Sequence, residues 1–375
     1  MNQREITGPG SLSALSDVLL ESKRVFLVVD EAAYAASGAS TQVDRALDDR
    51  HVTRFADFDP NPSAEAIDRG HTLYCEKPCD TVIAIGGGTA IDIAKLIAVS
   101  SSSDGDCRKL ALNPDPIDPD RPTLVAIPTT AGTGSEATHF AVVYIDGVKY
   151  SIAHPAIRPD VAIVDPELTH SLPPAITAHT GLDALCQAIE SLWSVQSDTN
   201  SRRFATRALD LAAAHLETVV TDPSLEARAA MSDAAHLAGK AIDISFTTGA
   251  HAVSYKLTSA FGVPHGLAVA LTLGAWVRYN GSVEKHDCLD PHGIDSVRAA
   301  IETVSHSFGK NTVEEAADRF AALLRAIGCP TRLSDVGVGA DDIDALAESV
   351  NVDRLANNPR RVTLESLRQL LSECL

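Results

Sequence analysis

Basic residues are scarce in this chain. Its 375 residues carry 31 Lys and Arg against 50 Asp and Glu, a formal charge of −19. A surface of that sign repels nucleic-acid phosphates and excludes DNA or RNA binding as a first reading. Long apolar runs are also missing. No stretch approaches the ~18 uninterrupted apolar residues that suggest a membrane span. The opening MNQREITGPGSLSALSDVLL has no clean apolar core of a signal peptide. Cysteine pairing is absent as well. The seven cysteines stand at 75, 79, 107, 186, 288, 329 and 374, and only Cys75 and Cys79 are close. No second pair completes a zinc knuckle, so free thiols in a reducing cytoplasmic setting are expected.

What remains is the composition of a soluble globular protein, with 45% apolar and 22% charged residues. The length exceeds one ordinary core and predicts two domains. In the first half, Val25–Val29, Thr81–Ile85, Leu124–Ile127 and Val161–Val164 are continuous and rich in β-branched residues. Such runs read as buried parallel strands. Ala141–Ile145 and Val148–Ile152 flank Asp146-Gly147, the signature of a β-hairpin. From about Pro173 onward apolar residues recur at helical spacing, as in Ala184–Trp193, Arg203–Val220, Glu226–Ile242, Thr312–Ile327 and Thr363–Leu375. Asn280–His292 reads as a surface loop. The expectation is an α/β domain with an open parallel sheet over 1–172 and an all-helical domain over 173–375.

Phosphate chemistry is suggested at two strand ends. Thr81–Ile85 runs into Gly86-Gly87-Gly88-Thr89 and then a helical pattern. Glycines let a backbone approach a phosphate, and a helix N-terminus supplies unpaired N–H groups. This is not the GxGxxG fingerprint, and taken alone a tight strand-to-helix turn is the plainer explanation. Thr89 is placed to cap the helix. After Leu124–Ile127 comes Pro128-Thr129-Thr130-Ala131-Gly132-Thr133-Gly134-Ser135, rich in hydroxyls and glycine. Open α/β sheets bind ligands at the carboxyl ends of their strands. Asp30 closes a third strand, where a carboxylate accepts from a ribose diol and repels a 2′-phosphate. A turn or cap role is the plainer alternative.

The helical half holds a possible metal set. Asp183 and Gln187 lie i,i+4 and share a helix face, and His251 and His265 are fourteen residues apart. Two imidazoles, a carboxylate and an amide oxygen suit a divalent transition metal. Singly, Asp183 also fits a surface helix and His251 a satisfied core histidine.

Five segments carry a resemblance: IAIGGGTAIDIAK (83–95), IPTTAGTGSEATHFAVV (127–143), PAIRPDVAIVDPEL (155–168), GLDALCQAIES (181–191) and HAVSYKLTSAFGVPHG (251–266). Over nearly its whole length the chain resembles the iron-containing (group III) alcohol dehydrogenases. The resemblance implies an N-terminal dinucleotide-binding domain and a helical metal-binding domain of the dehydroquinate synthase-like architecture, with metal and nicotinamide in the cleft between them. It places metal ligands on Asp183, Gln187, His251 and His265. It places cofactor contacts on Asp30, Asn61, Gly87, Gly88, Thr89, Thr129, Thr130, Thr133 and Lys149. The implied cofactors are NAD(H) ahead of NADP(H) and a divalent metal, Fe2+ first, with Zn2+ or Mn2+ as alternatives. A homo-oligomer, commonly a dimer, is implied too.

Two positions depart from the family. Its usual second ligand is histidine, here Gln187, a weaker neutral donor that shifts preference toward harder ions. His179, one turn before Asp183, is the less favoured alternative to Gln187. A further family histidine near the nicotinamide is here Tyr255, whose hydroxyl is the candidate proton relay. The segment AGKAIDISFTTGAHAVSYKLTSAFGVPHG, with AIESLWSV upstream, is most similar to the branch that reduces phosphonoacetaldehyde to 2-hydroxyethylphosphonate. Phe246 and Leu267 stand where that branch is expected to be more polar. For such a substrate the candidate cations are Arg158, Lys240 and Lys256. Alternatives are a dehydrogenase oxidising a secondary alcohol in a natural-product pathway, a dehydroquinate synthase-like lyase, and a silent nucleotide-binding member.

Overall fold

The computed structural model describes residues 3–100, 105–113, 117–350 and 355–375. The chain divides into two compact units, Met1–Pro173 and Pro174–Leu375.

The first unit contains β1 (Arg4–Thr7), β2 (Arg24–Val29), β3 (His51–Phe55), β4 (Thr81–Gly86), β5 (Thr123–Pro128), a hairpin of β6 (Phe140–Ile145) and β7 (Val148–Ala153), and β8 (Val161–Val164). Six of these form a parallel sheet in the order β1-β8-β5-β4-β2-β3. Alternate residues feed two cores. Phe26, Val28, Val82 and Ala84 face one, while Val25, Leu27, Ile83 and Ile85 face the other. Both faces are covered, which is why these strands read as unbroken apolar runs. In the hairpin turn Asp146 and Gly147 both take positive φ, 51° and 77°, as a type I′ connection requires.

Four helices of this unit matter for the site. α1 (Glu31–Ser37) follows β2, α2 (Ser40–Leu47) packs beside it, α3 (Ala64–Glu76) follows β3, and α4 (Gly88–Val99) follows β4. Lys95 on α4 is fully buried. Its ammonium donates to the Thr138 carbonyl at 3.0 Å, the Thr138 hydroxyl at 2.9 Å and the Phe140 carbonyl at 2.7 Å. Asp92, one turn earlier, accepts from the Ser135 hydroxyl at 2.5 Å and the Val142 amide at 2.9 Å. Burial pushes the Asp92 carboxyl up, against the pull of Lys95. This charged pair staples the segment after β5 to α4.

The second unit is helical among its described residues: α5 (Pro174–Trp193), α6 (Thr199–Thr221), α7 (Leu225–Ser245), α8 (Gly249–Phe261), α9 (His265–Gly281), α10 (Ile294–Ser307), α11 (Val313–Ala326), α12 (Ile343–Glu348) and a last helix, Leu364–Glu373. Fifteen α5 residues from Thr177 to Trp193 are buried, so α5 is a core helix. The expected loop over 280–292 begins later. Asn280 lies within α9, fully buried, in a reciprocal amide pair with Asn358 at 3.1 and 2.8 Å. Pairing of both amides permits burial that composition alone argues against. No helix among the described residues is long and apolar enough to cross a membrane.

Candidate cofactor cradle and metal centre

The cradle forms where β2, β4 and β5 end. Gly87 is the N-cap of α4 and supplies no side-chain cap, so the helix opens on bare backbone amides. Thr89 therefore does not cap the helix. It lies in the first turn, where its Oγ1 accepts from the Asn61 amide at 3.2 Å. Asn61 holds a φ of 70°, a left-handed conformation asparagine tolerates. The two loops touch. A β-carbon at Gly88 would stand 2.8 Å from the Thr133 methyl, and one at Gly87 would stand 3.4 Å from that of Thr130. The Thr129 amide donates to the Gly86 carbonyl at 2.9 Å, and its hydroxyl is buried with no hydrogen-bond partner. A buried orphan hydroxyl beside bare helix amides fits an anionic ligand.

Asp30 joins the same corner. Its amide donates to the Ile85 carbonyl at 3.2 Å, and its β-carbon lies 3.2 Å from where a Gly86 β-carbon would stand. It is also the N-cap of α1, Oδ1 accepting from the Ala33 amide at 3.0 Å. The cap and ribose roles are compatible, since one carboxylate has two oxygens. Lys149 lies on β7 opposite Tyr144, and its charge acts on Asp92.

In the second unit Asp183, His251 and His265 converge, with ligand atoms within 4.8 Å of one another. His251 Nε2 is 3.3 Å from Asp183 Oδ1, and His265 Nε2 is 3.9 Å from it. Gln187 is buried on the next turn of α5. His179 lies one turn before Asp183, outside that cluster, and burial pulls its pKa down. His265 begins α9 directly after Pro264, and Gly262 ends α8 in the left-handed conformation. That short link turns both histidines onto one carboxylate.

One residue of this site was missed from sequence. Glu190 is fully buried, two helical turns after Asp183 on the same face of α5. Its Oε2 bonds His251 Nδ1. Its Oε1 accepts from the Thr248 hydroxyl at 2.7 Å and from the amides of Thr248, Ala250 and His251 at 3.2, 2.9 and 3.4 Å. Burial works against a charged His251, but Glu190 and Asp183 outweigh it and push the pKa up to about 9. Two buried carboxylates facing two imidazoles make a pocket built to hold positive charge, which fits a divalent cation. The available signal was the i,i+7 spacing of two acids in GLDALCQAIES.

Around the cluster, the Tyr255 ring stacks on His265 at 6.2 Å with 11° between planes. Leu267 is buried, and Lys256 is exposed on α8. Lys240 lies 4.8 Å over the Phe204 ring. Arg158 belongs to the first unit. Phe246, between α7 and α8, holds a φ of 57° with ψ 175°, a strained conformation for a residue with a β-carbon. Asn357 clamps both sides of it, donating to the Ser245 and Thr247 carbonyls at 2.9 and 3.0 Å.

Two family models cover nearly all of the chain. Residues 2–166 match "iron-containing alcohol dehydrogenase" and 177–375 match the C-terminal part of the same family. The chain belongs to the iron-containing alcohol dehydrogenase family. It is 40% identical to a phosphonoacetaldehyde reductase of Streptomyces viridochromogenes over 78% of this chain and 76% of the relative. To a choline dehydrogenase of Bacillus subtilis it is 32% identical over 94% of this chain and 88% of the relative. Its fold matches the crystal structure of a sulfoacetaldehyde reductase from Bifidobacterium kashiwanohense in complex with NAD+, with a TM-score of 0.89 and 31% identity, over 99% and 96% of the two chains. This iron-containing alcohol dehydrogenase is thus an oxidoreductase in which one unit carries the glycine–threonine cradle and the other the Asp–His–His cluster.

Proposed function

We propose that the chain is a metal-dependent aldehyde reductase that uses NADH on a small aldehyde with an anionic head group, phosphonoacetaldehyde being the first candidate. The convergence of Asp183, His251 and His265 on one point carries the metal-dependent part of this reading. The 40% identity to a phosphonoacetaldehyde reductase supports the substrate class. The cradle of Gly87, Gly88, Thr89, Asn61, Thr129, Thr130 and Thr133 would take the cofactor pyrophosphate, with Lys149 as a further contact. Asp30 would take the ribose diol and exclude a 2′-phosphate. Asp183, Gln187, His251 and His265 would hold the metal, Fe2+ in the first instance. When bound, such a metal polarises a carbonyl oxygen as a Lewis acid, and the nicotinamide carries the hydride. Tyr255, fixed by its stack on His265, would hold at its Oη the proton that the nascent alcohol needs.

The decisive experiment follows NADH oxidation by protein loaded with Fe2+, Zn2+ or Mn2+ against a panel of aldehydes. Turnover of phosphonoacetaldehyde well above neutral aldehydes is expected. Equal turnover in rigorously metal-free protein, or preference for uncharged aldehydes, sinks the reading.

A further inference from the structure

We propose that Glu190 is a positioning residue that builds the metal centre before the metal arrives. The inference rests on the metal reading of the Asp183–His251–His265 cluster. Thr248, the N-cap of α8, makes no side-chain cap of its own. The cap comes instead from another helix, because Glu190 Oε1 collects the Thr248 hydroxyl and three backbone amides at the start of α8. This holds α8 against α5 at one register. The other oxygen takes His251 Nδ1, which holds a ring proton on that nitrogen and leaves Nε2, 3.3 Å from Asp183, as the atom that faces the cluster and gives up its own proton when a metal binds. One buried side chain thus sets both the position of α8 and the tautomer of its ligand, the task outer carboxylates perform for metal-bound histidines. It also lends charge to a donor set in which Gln187 is neutral, since a carboxylate behind an imidazole makes it a stronger donor.

Glu190→Gln separates the two roles. Its amide oxygen can still receive the α8 donors at the Oε1 position. Its NH2 then faces His251 Nδ1 and donates to it, which moves the ring proton to Nε2, the atom that must ligate. We expect Glu190→Gln to unfold near the wild-type temperature without metal. Its affinity for Co2+, measured by competition with a chromogenic chelator, falls roughly 10–100-fold, and the absorption spectrum of bound Co2+ changes. Wild-type Co2+ affinity and spectrum in Glu190→Gln overturn the assignment while leaving the metal reading intact. A wild-type chain that takes up no Co2+ overturns the metal reading itself. Should the variant not fold, nitrogen NMR of the Zn2+-loaded wild type decides. A slowly exchanging, strongly hydrogen-bonded Nδ1 proton on His251 supports the role, and a freely exchanging one overturns it.

Discussion

Gly266 lies so close to α5 that a β-carbon there would be driven into the carbonyl oxygen of His179 and would stand 2.9 Å from the Asp183 β-carbon. The glycine is needed for approach. Backbone meets backbone one residue after a ligand, and this brings His265 to Asp183. Gly266→Ala should push the start of α9 outward, costing about 1–3 kcal/mol of stability as overpacking does. The shift should weaken Zn2+ uptake sharply while NADH binding persists. Wild-type melting temperature and Zn2+ affinity in Gly266→Ala would contradict this account.

Lys95 is expected to matter as an anchor. Its three hydrogen bonds fix the segment after β5 to α4, and Asp92 loses the larger of its two counter-charges if the ammonium goes, Lys149 being the smaller. Lys95→Met should cost about 3–5 kcal/mol in urea unfolding, the range for breaking a buried pair from one side. NADH affinity should fall with it, since Thr129, Thr130 and Thr133 lie on the segment it holds. A loss below about 1 kcal/mol, the scale of an exposed pair, would show that Lys95 is not an anchor.

Cofactor preference should turn on Asp30. In the parent protein kcat/KM for NADH should exceed that for NADPH, and Asp30→Gly should narrow the gap. Replacing an N-cap aspartate by glycine costs only a few tenths of a kcal/mol, so the loss of the α1 cap should not confound the result. Equal kcat/KM for both cofactors in the parent defeats the idea.

The central strands were legible because both their faces are buried, and a doubly buried strand has no polar alternation. β1 and β3 were not, for the opposite reason. Both are edge strands, and most of their residues are exposed or half-exposed, so Arg4–Thr7 and His51–Phe55 carry no apolar run. At the centre, residue type and spacing left plainer roles open for Asp183, His251 and His265, the family resemblance selected them, and the fold brings these three together. Glu190 and Lys95 escaped notice because a lone charge in a helix normally reads as solvated. Only tertiary contacts reveal that each is fully enclosed by partners. Thr89 does not serve as a cap because the helix starts at Gly88, two residues before the start that role requires, and Gly87 takes the N-cap position.

Thiol reactivity should divide the seven cysteines sharply. Cys75 is exposed, with its sulfur 3.3 Å from His71 Nε2, and Cys288 is partly exposed, while the other five are buried. Burial, reinforced by nearby Asp68 and Asp106, pushes the Cys107 thiol up to about 12, and burial does the same to Cys374. Because the thiolate is the reactive form and these pKa values are raised, the buried thiols stay protonated as pH climbs through 8 and 9. At pH 8 a thiol of pKa about 12 is ionised to about one part in ten thousand. Native protein titrated with a disulfide reagent at pH 8 should therefore show a fast phase that Cys75→Ser abolishes and a slower one from Cys288. All seven cysteines should react once the chain is unfolded. Rapid labelling of Cys107 or Cys374 in the folded protein at that pH would contradict the packing of both.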